Sequence, residues 1–369
     1  MEFVDLAAQE RRLGSRLRSA IDGVLAHRRF VNGPEVAELE QQLGRYCGVE
    51  HAVACSSGTD ALVLSLMALR LAPGDRVIVP TFTFAATAEA VAFLGGVPVF
   101  VDVDAATFAL SPASVARAFS QPGGAPIVGV VPVDLFGHPA PHGEIAELAR
   151  AHGAWVLTDA AQSFGASWNG RRAGSIGRMA TTSFFPAKPL GCYGDGGAVF
   201  TDDGELAAVV RSLRSHGAGA DRYDNVRIGM TGRLDTIQAA ILLEKLAIFD
   251  EELERRQEVA SRYTELLDGA VETPSVSSGC RSAWSQYTCL VDNRDLVAKE
   301  LASEHIPTAV YYPRPLHRQA AYEGYPVVEG GTPVADDLCS RVLSLPMHPY
   351  LEPADQERVA QTVRRAVGA

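Results

Sequence analysis

Lys188 lies between the apolar stretch Ser183-Phe184-Phe185-Pro186-Ala187 and a turn with four glycines within nine positions, Gly191, Gly194, Gly196 and Gly197. Aromatic residues and proline on one side and glycines on the other fix the backbone and partly dry the amine. Burial lowers a lysine pKa and makes the amine a usable nucleophile for Schiff-base chemistry. The segment also fits a strand-end lysine before an ordinary turn. Upstream, the apolar run Trp155-Val156-Leu157-Thr158 reads as a buried strand that gives out at Asp159, with Gln162 three residues on. An acid at the carboxyl end of a strand in an open α/β sheet points at a ligand crevice. A carboxylate there would hold the pyridinium nitrogen of pyridoxal phosphate, keeping its ring able to absorb carbanion charge. The alternative is an Asp capping the next helix.

A third segment, Ser56-Ser57-Gly58-Thr59-Asp60, is a small-residue turn before the helical pattern Leu62, Leu64, Leu66, Leu69. Backbone N–H groups at a helix start, helped by Ser and Thr hydroxyls, make a phosphate site. Alone it is also an ordinary N-cap. Phosphate cradle, ring-nitrogen acid and imine-forming lysine nevertheless follow one another in the order one fold uses for one cofactor.

With these motifs the chain resembles, over nearly its whole length, the DegT/DnrJ/EryC1/StrS family of nucleotide-sugar aminotransferases. Besides the three segments, Pro80-Thr81-Phe82-Thr83-Phe84-Ala85-Ala86-Thr87 and Arg233-Leu234-Asp235-Thr236-Ile237-Gln238-Ala239-Ala240 match the family pattern. Within it, the Lys188 segment and the tail Ser344-Leu345-Pro346-Met347-His348-Pro349-Tyr350-Leu351 look most like UDP-2-acetamido-3-keto-glucuronate 3-aminotransferases.

The resemblance implies an α/β, fold-type I transferase dependent on pyridoxal 5′-phosphate, with L-glutamate as amino donor and a keto-sugar nucleotide as acceptor. It implies that Lys188 carries the cofactor as an internal aldimine and shuttles the proton once released. Asp159 then pairs with the ring nitrogen and Gln162 lies beside the ring hydroxyl. Gly58, Thr59 and Ser183 match phosphate-holding positions, and Phe84 falls where an aromatic ring covers the cofactor. Arg233 is the candidate for a substrate carboxylate, because its planar fork binds one bidentately. Its alternative is a structural ion pair with Asp235 or another acid. Tyr311 and Tyr312 lie in the stretch that closes over the family's site. Thr231 stands where the family has an Asn reaching the neighbouring subunit's phosphate, and a hydroxyl reaches less far. The resemblance further implies a homodimer with shared active sites. Other readings keep the cofactor for a different keto-sugar or a cyclitol, or make the protein a non-catalytic regulator; a sugar dehydratase would have His in place of Lys188.

These residues need a scaffold large enough to hold them. With 369 residues, 47% of them hydrophobic and 21% charged, the chain can bury a sizeable core. Residues 77–79, 97–103, 127–133 and 155–158 read as strands, mostly separated by helical patterns, which predicts a mostly parallel sheet between helices. Residues 181–185 and 197–201 flank the glycine turn closely enough to pair antiparallel. A long helix is expected from Asp235 to about Leu267, turning polar at Asp250-Glu251-Glu252. It should lead from a large cofactor-binding domain with an N-terminal arm, residues 1–250, into a smaller C-terminal α/β domain, 251–369.

A net charge of −11 argues against sequence-independent nucleic-acid binding. Apolar stretches are strand-sized, and the start Met1-Glu2-Phe3-Val4-Asp5 lacks the basic then apolar run of a signal peptide. Six scattered cysteines without a Cys-x-x-Cys pair suggest reduced thiols, a cytoplasmic enzyme and no metal site.

Overall fold

The computed structural model describes residues 1–121, 124–221 and 223–369. The main sheet holds seven strands: β1 (His51–Cys55), β2 (Arg76–Pro80), β3 (Val97–Val101), β4 (Ile127–Val130), β5 (Trp155–Asp159), β6 (Met179–Ser183) and β7 (Gly197–Thr201). Their order is β1-β7-β6-β5-β4-β2-β3. β3, β2, β4, β5 and β6 pair in parallel, whereas β7 runs antiparallel to both β6 and β1. Six strands therefore point the same way, and their carboxyl ends share one edge.

Side chains alternate across the sheet and fill a core on each face. Val53, Cys55, Val77, Val79 and Leu157 face the helices Gly58–Ala68, Ala86–Phe93 and Gly204–Leu213. Ala52, Ala54, Ala180 and Phe200 face Pro34–Cys47 and Thr236–Leu246, while Ile78, Val99 and Val130 meet Pro112–Ser120 and His142–Ala151. Apolar residues on both faces explain the nearly unbroken hydrophobic runs of these strands.

The helix expected over 235–267 is two helices, Thr236–Leu246 and Phe249–Leu267, broken at Ala247 and Ile248. Asp250, Glu251 and Glu252 form the first turn of the second helix, where acids complement the helix dipole. Their clustering marks a helix start as well as a polar face.

Residue 250, where the division was expected, lies in the first turn of Phe249–Leu267. Phe249 and Leu253 pack in the large-sheet core, and Val259, Tyr263 and Leu267 in a second core around strands Tyr287–Leu290 and Val342–Leu345. The chain then revisits the large sheet. Leu316 N–H donates to Thr81 O at 2.8 Å, Phe100 N–H to Pro326 O at 2.9 Å, and Leu316 and Tyr322 bury in the core of that sheet. At the other terminus, Met347 N–H donates to Phe3 O at 3.2 Å.

Candidate active site

Cys55, Asp159 and Ser183 end β1, β5 and β6 on the common carboxyl edge, and the loops that follow enclose a cavity of about 490 Å³. Gly58, Thr59, Phe84, Asp159, Gln162, Ser183, Lys188, Tyr311 and Tyr312, all singled out from the sequence, line it together. Thr231 and Arg233 do not line the cavity of their own chain. Thr231 is exposed and its hydroxyl lies 2.8 Å from His216 Nε2. Arg233 is half-buried and, among the described residues, makes neither the ion pair with Asp235 nor any other.

Lys188 projects from the loop that joins β6 to β7. Its N–H donates to Phe185 O at 2.8 Å, and Phe184 and Gly196 close the loop behind it at 2.7 Å. Helix Thr236–Leu246 grips the same loop. Lys245 Nζ donates to Gly191 O at 2.7 Å and lies 4.2 Å from the centre of the Tyr193 ring, and Gln238 bonds both backbone groups of Tyr193. Lys188 itself is half-buried at the cavity wall, where desolvation pulls its ammonium down to about 8 against the attraction of Asp159. Its neutral amine is thus within reach at ordinary pH.

Asp159 is buried, 5% exposed, and burial pushes its carboxyl up. Thr87 Oγ1 at 2.8 Å, the Ala161 N–H at 3.2 Å and the nearby Lys188 charge oppose that push. A carboxylate so placed suits a cationic N–H partner. Gln162 is locked from two sides, accepting from Phe136 N–H at 2.7 Å and donating to the Tyr312 hydroxyl at 3.3 Å. Beneath it, fully buried Asp134 accepts from Ala140 N–H, His142 Nε2 and Ser163 Oγ, each at 2.8 Å, and holds the turn that presents Phe136.

At the start of helix Gly58–Ala68, Ser57 Oγ accepts from Asp60 N–H and Ser57 O from Ala61 N–H. The Gly58 and Thr59 N–H groups remain for an anion, as first-turn donors do. Gly58 is glycine by necessity, since a Cβ there would sit 2.7 Å from Ser183 Cβ. Gly197 has the same reason, 2.4 Å from Ser57 O. The phosphate-type turn and the lysine hairpin are therefore pressed together. Phe84 is 56% exposed, its ring 6.3 Å from that of Tyr312, so it is not a core residue.

Sequence reasoning missed Thr87, Asp134 and Gln286. Thr87 lay within a matched motif, and only the fold, which brings the start of its helix to Asp159 at the end of β5, reveals its partner. His317 and His348 do not line the cavity; His317 Nδ1 is 2.7 Å from Thr81 Oγ1, and burial lowers His348 to about 4. A second cleft of about 480 Å³ runs beside Leu290 and Arg341, whose guanidinium is taken up by Glu272, Asp292 and Asp337. Among the described residues there is no metal-binding cluster, and no helix is long and apolar enough to cross a membrane.

A model of the DegT/DnrJ/EryC1/StrS aminotransferase family matches residues 12–364, and the chain belongs to that family. It is 45% identical over 355 residues to the UDP-2-acetamido-2-deoxy-3-oxo-D-glucuronate aminotransferase of Pseudomonas aeruginosa, covering 96% of this chain and 97% of that one. A DegT DnrJ EryC1 StrS aminotransferase structure from Brucella abortus superposes with a TM-score of 0.98 at 49% identity, covering all of both chains. The structure of NtdA from Bacillus subtilis with bound cofactor PMP gives 0.87 at 28% identity, covering 100% of this chain and 83% of that one.

Proposed function

We propose that this member of the DegT/DnrJ/EryC1/StrS family transfers the amino group of L-glutamate to C3 of UDP-2-acetamido-2-deoxy-3-keto-glucuronate, in amino-sugar synthesis for a bacterial surface polysaccharide. The observation that carries the reading is one cavity uniting a lysine of lowered pKa, a buried carboxylate and a helix start with free N–H donors. The likeness to the Pseudomonas enzyme along both chains supports the substrate.

The donor set fits pyridoxal 5′-phosphate, the cofactor of this enzyme, which when bound supplies an exchangeable aldehyde and a ring that takes up electron density. Gly58, Thr59 and Ser183 would hold its phosphate, Asp159 its ring nitrogen, Gln162 its ring hydroxyl and Phe84 one ring face. Lys188 Nζ would be the nucleophile that takes up the cofactor's aldehyde and, as a free amine, the base that accepts and returns a proton beside it. Asp159 would face the ring nitrogen as its acidic partner, and Thr87 and the Ala161 N–H donate to its carboxyl against the push of burial.

The same reading makes the enzyme a homodimer in which Thr231 and Arg233 face the partner's cavity, Arg233 taking a substrate carboxylate. It places the enzyme in the cytoplasm, in keeping with six free cysteines. Incubating the purified holoenzyme with glutamate and a panel of keto-sugar nucleotides tests the assignment. Faster amination of a neutral 3-keto or 4-keto hexose than of the uronate would overturn the substrate, and no cofactor absorbance band would favour a regulatory protein.

A further inference from the structure

Two glutamines line the cavity, and their surroundings differ. The amide of Gln162 is spent inside the protein, on Phe136 N–H and the Tyr312 hydroxyl. The side chain of Gln286 makes no hydrogen bond among the described residues, and its Oε1 is buried without a partner. Burying an amide acceptor unpaired is costly, so such a group in a binding cavity waits for a ligand donor.

Its placement is also rigid. Gln286 immediately precedes strand Tyr287–Leu290, and the backbone there is stitched to the turn beneath Gln162. Ser285 N–H donates to Phe136 O at 3.0 Å, Gln286 N–H to the same oxygen at 3.4 Å, and Ala283 N–H to Gly137 O at 2.9 Å. The approach is close enough to require glycine at 137, where φ is +96° and a Cβ would stand 2.7 Å from Trp284 N. The Gln286 amide is thus preorganised by the chain beyond residue 250, in the cavity that Lys188 also lines.

Resting on the function proposed above, we infer that Gln286 determines specificity for the sugar half of the reaction, its amide oxygen accepting from a hydroxyl or acetamido N–H of the nucleotide sugar. The chemistry separates the two substrates. Glutamate brings two carboxylates, which are acceptors, and its only donor is the amine that reacts. A nucleotide sugar brings several O–H and N–H groups in fixed positions. A carbonyl acceptor therefore discriminates in favour of the sugar.

The test uses the holoenzyme and Gln286→Leu, which keeps the bulk and removes the acceptor. Calorimetry with the unreactive probe UDP-2-acetamido-2-deoxy-glucuronate, which lacks the keto group, should show a dissociation constant raised about five- to tenfold, the loss of one hydrogen bond. The glutamate half-reaction, followed by bleaching of the cofactor band, should be unchanged. Equal probe affinity in wild type and variant, or an equal fall in both half-reactions, would overturn the inference. Wild-type holoenzyme that does not bind the probe would instead overturn the function proposed above and this inference with it. Should the leucine variant fail to fold, Gln286→Asn, whose shortened amide cannot reach the same donor, gives the same reading.

Discussion

Lys188 differs from a surface lysine because its ammonium sits half-buried at the cavity wall. Burial pulls its value down to about 8, so the neutral nucleophile is reached well below the ordinary lysine range. The rate of cofactor capture by apoprotein should therefore climb with pH and level off a little above 8; a climb that continues to 10 or beyond would mean an ordinary lysine. Lys188→Ala should abolish both capture and turnover. Thr87 acts on Asp159 in the same local way. Thr87→Val keeps the shape and removes the 2.8 Å donor, so kcat/KM should drop by an amount worth about 1.5–3 kcal/mol, the typical value of a hydrogen bond to a charged group. A retained absorbance band at reduced turnover would separate this effect from simple loss of cofactor.

Two elements hold the site by contact rather than by chemistry. Helix Gly58–Ala68 meets the end of β6 so closely that Gly58→Ala must push Ser183 away, its Cβ 2.7 Å from that of Ser183. The expected result is weaker cofactor retention on dialysis with the fold preserved in circular dichroism. Helix Thr236–Leu246 holds the Lys188 loop through Lys245, which is 1% exposed and whose value burial lowers to about 8. Between about pH 8 and 10.5 this lysine is charged in the unfolded chain and neutral in the folded one. The unfolded state then binds more protons, so its contribution to stability rises with pH across that window. Apoprotein melts of wild type and Lys245→Met should show the wild type gaining on the variant from pH 8 to 10.5, and parallel curves would remove the lysine from the loop's support.

At the scale of the whole molecule, the stretch that carries Thr231 and Arg233 shows apolar side chains to solvent. Ile228 is 87% exposed, Val226 53%, and Phe30 and Val31 nearby are about half exposed. Exposed apolar side chains grouped in this way suit burial against a second copy. Light scattering should give a dimer at assay concentration, and Ile228→Asp should shift it toward monomer with loss of turnover. An active wild-type monomer would remove Thr231 and Arg233 from the site altogether. In the dimer, Arg233→Ala should keep the absorbance band and lose about 1.5–3 kcal/mol in kcat/KM, as for a charged hydrogen-bonded partner.

The sequence by itself determined what depends on neighbours along the chain. Lys188 before its glycines, Asp159 at a strand end and Gly58-Thr59 at a helix start are local patterns, and local patterns survive without knowledge of the fold. The mostly parallel character of the sheet was legible for the same reason, since alternating apolar runs and helical periods impose a βα layout. Tertiary structure alone decided what joins distant segments. Thr87 reaches Asp159 across 72 positions and Lys245 reaches Gly191 across 54. Gln286 is fastened to a turn some 150 positions earlier. The break at Ala247 and Ile248 also escaped the sequence, because no proline or glycine marks it; the helix after it runs from the large-sheet core at Phe249 and Leu253 to the second core at Val259 and Tyr263. A side chain's partner across a fold is set by packing, and packing is a property of the assembled chain rather than of any stretch of it.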